Sequence, residues 1–167
     1  MGLKTVGSVN SLLSQRYLNK RCLSLCDSLI CGSDFVAREI DKLIGKEKIT
    51  RIYSPISVAE ILDSEERIAE KFALGMTPET IVLSSVAMLD PRKGHDVAIQ
   101  AFAKLAAEFP TARLLIVGGA YAERGETELK RLQRLASDFG VSSRVVFAGY
   151  ISELRKVYAA SDIVLAL

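Results

Sequence analysis

The sequence predicts an α/β fold, a Rossmann-like parallel sheet with helices on both faces. Three observations carry this. From Thr80 onward, short apolar runs alternate with stretches of helical periodicity. The runs are nearly continuous in apolar character (RLLIV, RVVFA, DIVLAL), as strands covered on both faces require. Glycine or proline marks many of the junctions, at Gly94, Pro110, Gly118-Gly119, Gly140 and Gly149. Crossovers between such parallel strands are right-handed.

The elements follow in order. Over residues 10–27, Leu18, Cys22, Leu25 and Cys26 recur at helical spacing, and Leu29 extends the same series. Arg16, Lys20 and Arg21 make the other side basic, which reads as a solvated face. Ser28–Gly32 is a short strand. Ser33 or Asp34 caps a helix that runs to Ile44 and stops at Gly45. Ile49–Tyr53 is another strand, broken by Ser54-Pro55. Residues 57–76 contain a helix through Ile61, Ile68, Ala69 and Phe72. Its charges at Asp63, Glu65, Glu66 and Arg67 suit an exposed crossing. Strand 80–88 leads to a helix over 95–108 with Val97, Ala101, Phe102 and Leu105 on one face. Strand Arg113–Val117 leads to a helix over 126–139 that buries Leu129, Leu132, Leu135 and Phe139. Strand Arg144–Ala148, a helix over 152–160 and strand Ile163–Leu167 complete the pattern. The domain reading is a first segment over 1–56, a connector over 57–78 and a Rossmann-like unit over 79–167.

Composition narrows the partners. With 22 basic and 20 acidic side chains the net charge is +2, too balanced for nucleic-acid binding, and tryptophan is absent. Cys22, Cys26 and Cys31 are odd in number and the 22/26 spacing is helical, so they read as reduced thiols in a cytoplasmic setting. The single histidine, His95, is too remote to complete a zinc site with them. No apolar segment reaches membrane-spanning length, so any membrane attachment is expected to be peripheral, at the inner face.

In a parallel sheet, ligands sit beyond the carboxyl ends of the strands. Three such ends are recognisable, at Met88–Gly94, Gly118–Tyr121 and Gly149–Ser152. The first has a phosphate-handling layout. A strand enters a loop ending in Arg92-Lys93-Gly94, and the next helix start offers free N–H groups and partial positive charge. From spacing alone, Arg92 and Lys93 read equally well as anion contacts or as exposed loop cations. Gly118, Gly119 and Gly149 permit close backbone approach, or simply tight turns. His95 beside Asp96 reads as a capping or surface residue, and Asp162 reads as a loop-orienting acid or a turn residue. DPRKGHD lacks the glycine–lysine–serine/threonine order of a P-loop, and GGAYAERG lacks G-x-G-x-x-G.

Taken together, VAMLDPRKGHDVAIQAFAKL, ARLLIVGGA and RVVFAGYISELRKVYAASDIVLAL resemble glycosyltransferase family 4 in order and interval. These are the group 1, retaining, nucleotide-sugar-dependent enzymes of GT-B architecture. CDSLICGSDFVAREI, KEKITRIYSPIS and LGMTPETIVLSSVAML are similar to the end of that family's N-terminal domain, the approach to the interdomain crossing and the entry to its C-terminal domain. The resemblance covers nearly the whole chain. It implies that Lys93 and the backbone at Gly94, with Arg92 beside them, hold a donor diphosphate. Gly118, Gly119, Gly149 and Tyr150 would border the nucleoside, and Asp162 would support the next donor-site loop. No cofactor and no protein-bound metal is implied. The reaction implied is sugar transfer from a nucleotide donor to a glycan, lipid or small-molecule acceptor, of the kind used in polysaccharide biosynthesis.

Two departures matter. The family has arginine where this chain has Met88, and losing one charge-assisted phosphate contact costs about 1.5–3 kcal/mol. The family's two glutamates, seven residues apart, and most of its acceptor domain fall outside this sequence. No catalytic residue is therefore assigned, and the isolated chain is expected to be inactive. The alternative is a non-catalytic nucleotide or nucleotide-sugar module acting with a partner chain. A generic Rossmann-like domain with a structural role is the third reading. The outer edge of strand Ile163–Leu167 is expected to favour self-association or pairing with a complementary fragment.

Overall fold

The computed structural model describes residues 4–9, 20–55 and 63–166. Residues 10–19 of the helix predicted over 10–27, Ile61 of the predicted connector helix and the terminal Leu167 fall outside them. The chain forms two compact units, Met1–Val58 and Ala59–Leu167.

The first unit is a three-stranded parallel sheet in the order β1 (Val6–Val9), β2 (Ser28–Cys31), β3 (Ile49–Arg51). Helices α1 (Lys20–Leu25) and α2 (Asp34–Ile44) pack with it. β1 was not anticipated, because VGSV has too little apolar content to read as a strand. Pairing imposes it: Val6 to Val9 register with Ser28 to Cys31, and Thr5 N–H donates to the Asp27 carboxylate at 2.7 Å. Ser33 caps α2 through Val36 N–H at 3.2 Å, and Gly45 follows with φ 84°. Leu29, Cys31, Val36 and Ile40 form the core, and burial pushes the Cys31 thiol up from its ordinary value. β3 ends at Arg51, earlier than expected. Tyr53 instead donates its hydroxyl to Asp34 at 2.9 Å.

The second unit begins with α3 (Ser64–Ala73). There follow β4 (Val82–Val86), α4 (His95–Leu105), β5 (Arg113–Val117), α5 (Ala122–Asp138), β6 (Val145–Gly149), α6 (Leu154–Ala160) and β7 (Ile163–Leu165). The sheet order is β6-β5-β4-β7, all parallel, so the α/β reading with helices on both faces holds. The alternation along β5 shows how the sheet is filled. Leu114 and Ile116 join Ile99, Phe102 and Leu132 under α4 and α5, while Leu115 and Val117 join Val82 and Val157 on the opposite face, with α6. All these residues are buried. Truncating Phe102 to alanine would cost about 3–5 kcal/mol.

α4 presents a face rotated from the one expected. Ala98, Ile99, Phe102 and Ala106 are buried, whereas Val97 and Leu105 are exposed. The apolar content of DVAIQAFAKL fits two overlapping stripes, and sheet contact selects one of them.

α3 exposes Asp63, Glu65, Glu66 and Arg67, as expected, but it is also tied into the second unit. It is closed by a reciprocal cap, in which Asp63 accepts from Glu66 N–H at 2.8 Å and Glu66 accepts from Asp63 N–H at 3.1 Å. It then packs against α6 within the second unit. Arg67 donates to Ala159 O at 3.0 Å. The buried Lys71 ammonium donates to Thr80 O at 2.7 Å and to Asp162 at 2.9 Å. The charges that read as solvent-facing are in part the ties holding this helix in place. Among the described residues no helix is long and apolar enough to cross a membrane.

Candidate functional site

The sheet order creates a switch point. From β4 the chain passes through α4 to β5 on one side, and from β6 it returns through α6 to β7 on the other. Clefts form outside the carboxyl ends of strands at such points. A cleft of about 260 Å³ lies at this edge. It is lined by Val86, Ala87 and Met88 from β4 and its loop, Val117 to Gly119 and Tyr121 after β5, and Tyr150 to Ser152 and Leu154 after β6.

Backbone bonds lace the three loops together. Ala87 N–H donates to Val117 O at 2.9 Å, Leu89 N–H to Gly119 O at 3.2 Å, and Gly118 N–H to Gly149 O at 2.8 Å. A bulge between Ile116 and Val117 brings Gly149 opposite Val117 and bends β6 at its carboxyl end. Gly118 is required by contact. A Cβ there would lie 1.7 Å from the Ala87 carbonyl oxygen. Tyr121 and Tyr150 are exposed on the rim, as is Met88.

The loop from Ala87 to Gly94 is built from its own sequence. Asp90 accepts from Arg92 N–H at 2.9 Å and starts a 3-10 turn, Pro91–Lys93. The Arg92 guanidinium donates to both oxygens of the same carboxylate, each at 2.9 Å, and Arg124 stands 3.8 Å away. The Arg92 side-chain bonds come first, then its backbone N–H. Together they hold the Asp90 carboxyl well below the usual carboxylate range, against a desolvation penalty. Arg92 is thus turned back onto its own loop, which favours the loop-cation reading over an anion contact. The Lys93 side chain is exposed and takes part in no hydrogen bond or ion pair among the described residues, while its backbone N–H donates to Asp90 O at 2.9 Å. Gly94 adopts φ 69°, ψ 16°, a left-handed conformation that favours glycine, and α4 then starts without a side-chain cap. Val97 N–H donates to Asp96 Oδ1 at 3.0 Å and Asp96 itself pairs with Arg131 at 3.4 Å, so the His95 and Asp96 N–H groups and one unpaired cation are what the start of α4 offers an anion.

His95 overturns the surface reading. It is 1% exposed. Its Nε2 lies 3.2 Å from Ala87 O and 3.3 Å from Met88 O, and its Nδ1 lies 2.9 Å from Ser85 Oγ. The carbonyls only accept, so Nε2 carries the proton, and in the neutral ring Nδ1 accepts from the serine hydroxyl. The signal in the sequence was the Ser84-Ser85 pair within an apolar run, since each serine needs a partner once buried and Ser85 stands ten residues upstream of His95.

Asp162 leaves the site. It precedes β7 and so lies at the amino-terminal edge of the sheet, opposite the cleft. Its Oδ2 accepts from Lys71 at 2.9 Å and from Val82 N–H at 2.8 Å. Of the residues singled out in the sequence, Gly118, Gly119 and Tyr150 line the cleft, and Gly149 ties its loops. Lys93 and Gly94 stand at the adjoining helix start, outside the lining.

Residues 66–167 match the family model described as glycosyl transferases group 1. The chain belongs to the group 1 glycosyltransferases. A GDP-mannose-dependent alpha-(1-6)-phosphatidylinositol monomannoside mannosyltransferase of Mycolicibacterium smegmatis is 39% identical over 60% of this chain and 25% of its own length. A D-inositol 3-phosphate glycosyltransferase of Acidothermus cellulolyticus is 33% identical over 75% of this chain and 29% of its own length. The chain thus spans well under half of these curated relatives. Among solved structures, Anabaena Alr3699/HepE in complex with UDP superposes with a TM-score of 0.82 at 20% identity, over 98% of this chain and 46% of that one. The α/β architecture of parallel sheets and helices matches such GT-B glycosyltransferase structures.

Proposed function

We propose that this chain forms part of the donor site of a retaining, family 4 type glycosyltransferase. The parent protein would move a sugar from a nucleotide donor to a glycan, lipid or small-molecule acceptor, as in polysaccharide biosynthesis. It would work in the cytoplasm, at most peripherally attached to a membrane. The observation that carries this reading is the juxtaposition at one sheet edge: a glycine-floored cleft beside an uncapped helix start with an unpaired lysine. Lys93 and the Gly94 backbone would take the diphosphate, and the loops at Gly118, Gly119, Gly149 and Tyr150 would border the nucleoside. The reading draws support from a relative named for GDP-mannose and from neighbours bound to UDP and UDP-glucose. No catalytic residue is assigned within the chain, and the reading calls for no cofactor.

A second reading is a non-catalytic nucleotide or nucleotide-sugar module acting with a partner chain. Met88 favours it, since an uncharged side chain lines the cleft where the resemblance implies a second cation. For either reading the first test is calorimetric titration with UDP and GDP. Binding of one of them, weakened by Lys93→Ala by about 1.5–3 kcal/mol, is the expected result. Absence of binding by both would exclude a donor site in this chain.

A further inference from the structure

We propose that His95 is a positioning residue for the diphosphate: its buried imidazole clasps the Ala87–Gly94 loop so that Lys93 and the start of α4 face an anion together. The proposal rests on the donor-site reading above.

The geometry is that of a clasp. His95 is the first residue of α4, yet its ring reaches back to where the loop leaves β4. Nε2–H is shared between Ala87 O and Met88 O, and Nδ1 is anchored on Ser85 within the strand. The entry and exit of the loop are therefore joined through one rigid ring. Gly118 approaches the same Ala87 carbonyl so closely that a Cβ there would lie 1.7 Å from its oxygen. Between the clasped ends, Asp90 closes the 3-10 turn through Arg92 N–H, and Lys93 N–H donates to Asp90 O at 2.9 Å. Of the loop's three charged side chains, Asp90 and Arg92 hold each other and only that of Lys93 has no partner among the described residues.

The ring is buried and does not line the cleft, so a direct contact with ligand is not its role. Its effect is pre-organisation. A diphosphate bridging the lysine and the helix N–H groups would otherwise have to order the loop on binding, which weakens affinity. The effect falls more on the diphosphate, because the Gly118 N–H to Gly149 O bond joins the loops after β5 and β6 without His95, and the clasped loop reaches them through the Ala87 and Leu89 N–H groups alone.

The test is calorimetry on the whole chain with UDP and GDP and with the nucleosides uridine and guanosine. For the base that binds, His95→Ala is expected to weaken the diphosphate roughly tenfold, as loss of one charge-assisted contact would, and to weaken the nucleoside clearly less. His95→Gln, whose side-chain amide can donate from a similar reach, is expected to restore most of the loss. Ser85→Ala, which unanchors Nδ1 without touching the loop, is expected to show a smaller loss with the same selectivity. Equal weakening of nucleoside and diphosphate in His95→Ala would show a merely structural residue and overturn the proposal. So would wild-type diphosphate affinity in that variant, which leaves the donor reading standing. If His95→Ala does not fold, Ser85→Ala decides: a diphosphate-selective loss supports the clasp and unchanged affinity overturns it. No binding of either diphosphate by the wild type overturns both readings.

Discussion

Replacing Gly118 with alanine adds a single methyl group at the most crowded point of the cleft. The new Cβ would lie 1.7 Å from Ala87 O, 2.7 Å from Ala87 C and 3.3 Å from Met88 Cα. The first distance is about half an ordinary van der Waals separation, and the atoms met are backbone, so no rotamer change relieves it. Either the β4 loop or the β5 loop must move. Overpacking of this kind costs about 1–3 kcal/mol. The movement also strains Ala87 N–H to Val117 O, Gly118 N–H to Gly149 O and His95 to Ala87 O, each worth about 1 kcal/mol. We therefore expect a total of roughly 3–5 kcal/mol in equilibrium urea unfolding followed by circular dichroism. Gly119→Ala is the matched control. Its Cβ would meet the Tyr121 ring at 2.9 Å, and that ring is exposed and can swing aside. It should cost about 1 kcal/mol or less. Equal costs for the two variants, or less than about 1 kcal/mol for Gly118→Ala, would refute the close-approach argument.

Two further outcomes follow from the charged groups. Asp162→Ala leaves the Lys71 ammonium buried without its carboxylate and orphans Val82 N–H. A loss of about 3 kcal/mol in urea unfolding is expected, with UDP or GDP affinity of the folded protein unchanged, because Asp162 lies at the sheet edge opposite the cleft. Weakened nucleotide affinity would return Asp162 to the site. Asp90 has its folded pKa depressed, so its stabilising contribution is present above the unfolded carboxylate value near 4 and is lost as pH falls below it. Thermal melts of Asp90→Asn should therefore lie below wild type at pH 7 and converge with it as the pH drops under about 4. A constant difference across that range would mean that Asp90 titrates normally.

Local chemistry made much of the fold legible. Ser33 before α2 and the apolar runs at β4, β5 and β6 announced their elements, because capping and strand burial act over a few residues. β1 was not legible, since VGSV becomes a strand only through its pairing with β2. For the site, sequence adjacency located the three loops at the carboxyl edge, and Gly118, Gly119 and Tyr150 do line one cleft. It could not tell which neighbouring charge is satisfied at home. Arg92 and Lys93 are adjacent in sequence, yet Arg92 closes onto Asp90 and Lys93 stays unpaired.

By itself the sequence determined the alternation of strands and helices, the positions of the loops and the character of a group 1 glycosyltransferase. Those properties rest on local periodicity and on an ordered series of short motifs. Only the tertiary structure decided the order β6-β5-β4-β7, the turning inward of His95 and the removal of Asp162 to the far edge. These depend on partners about ten to ninety residues away, such as Ser85 for His95 and Lys71 and Val82 for Asp162. A polar side chain goes wherever burial leaves it a partner, and no window of local sequence contains that partner.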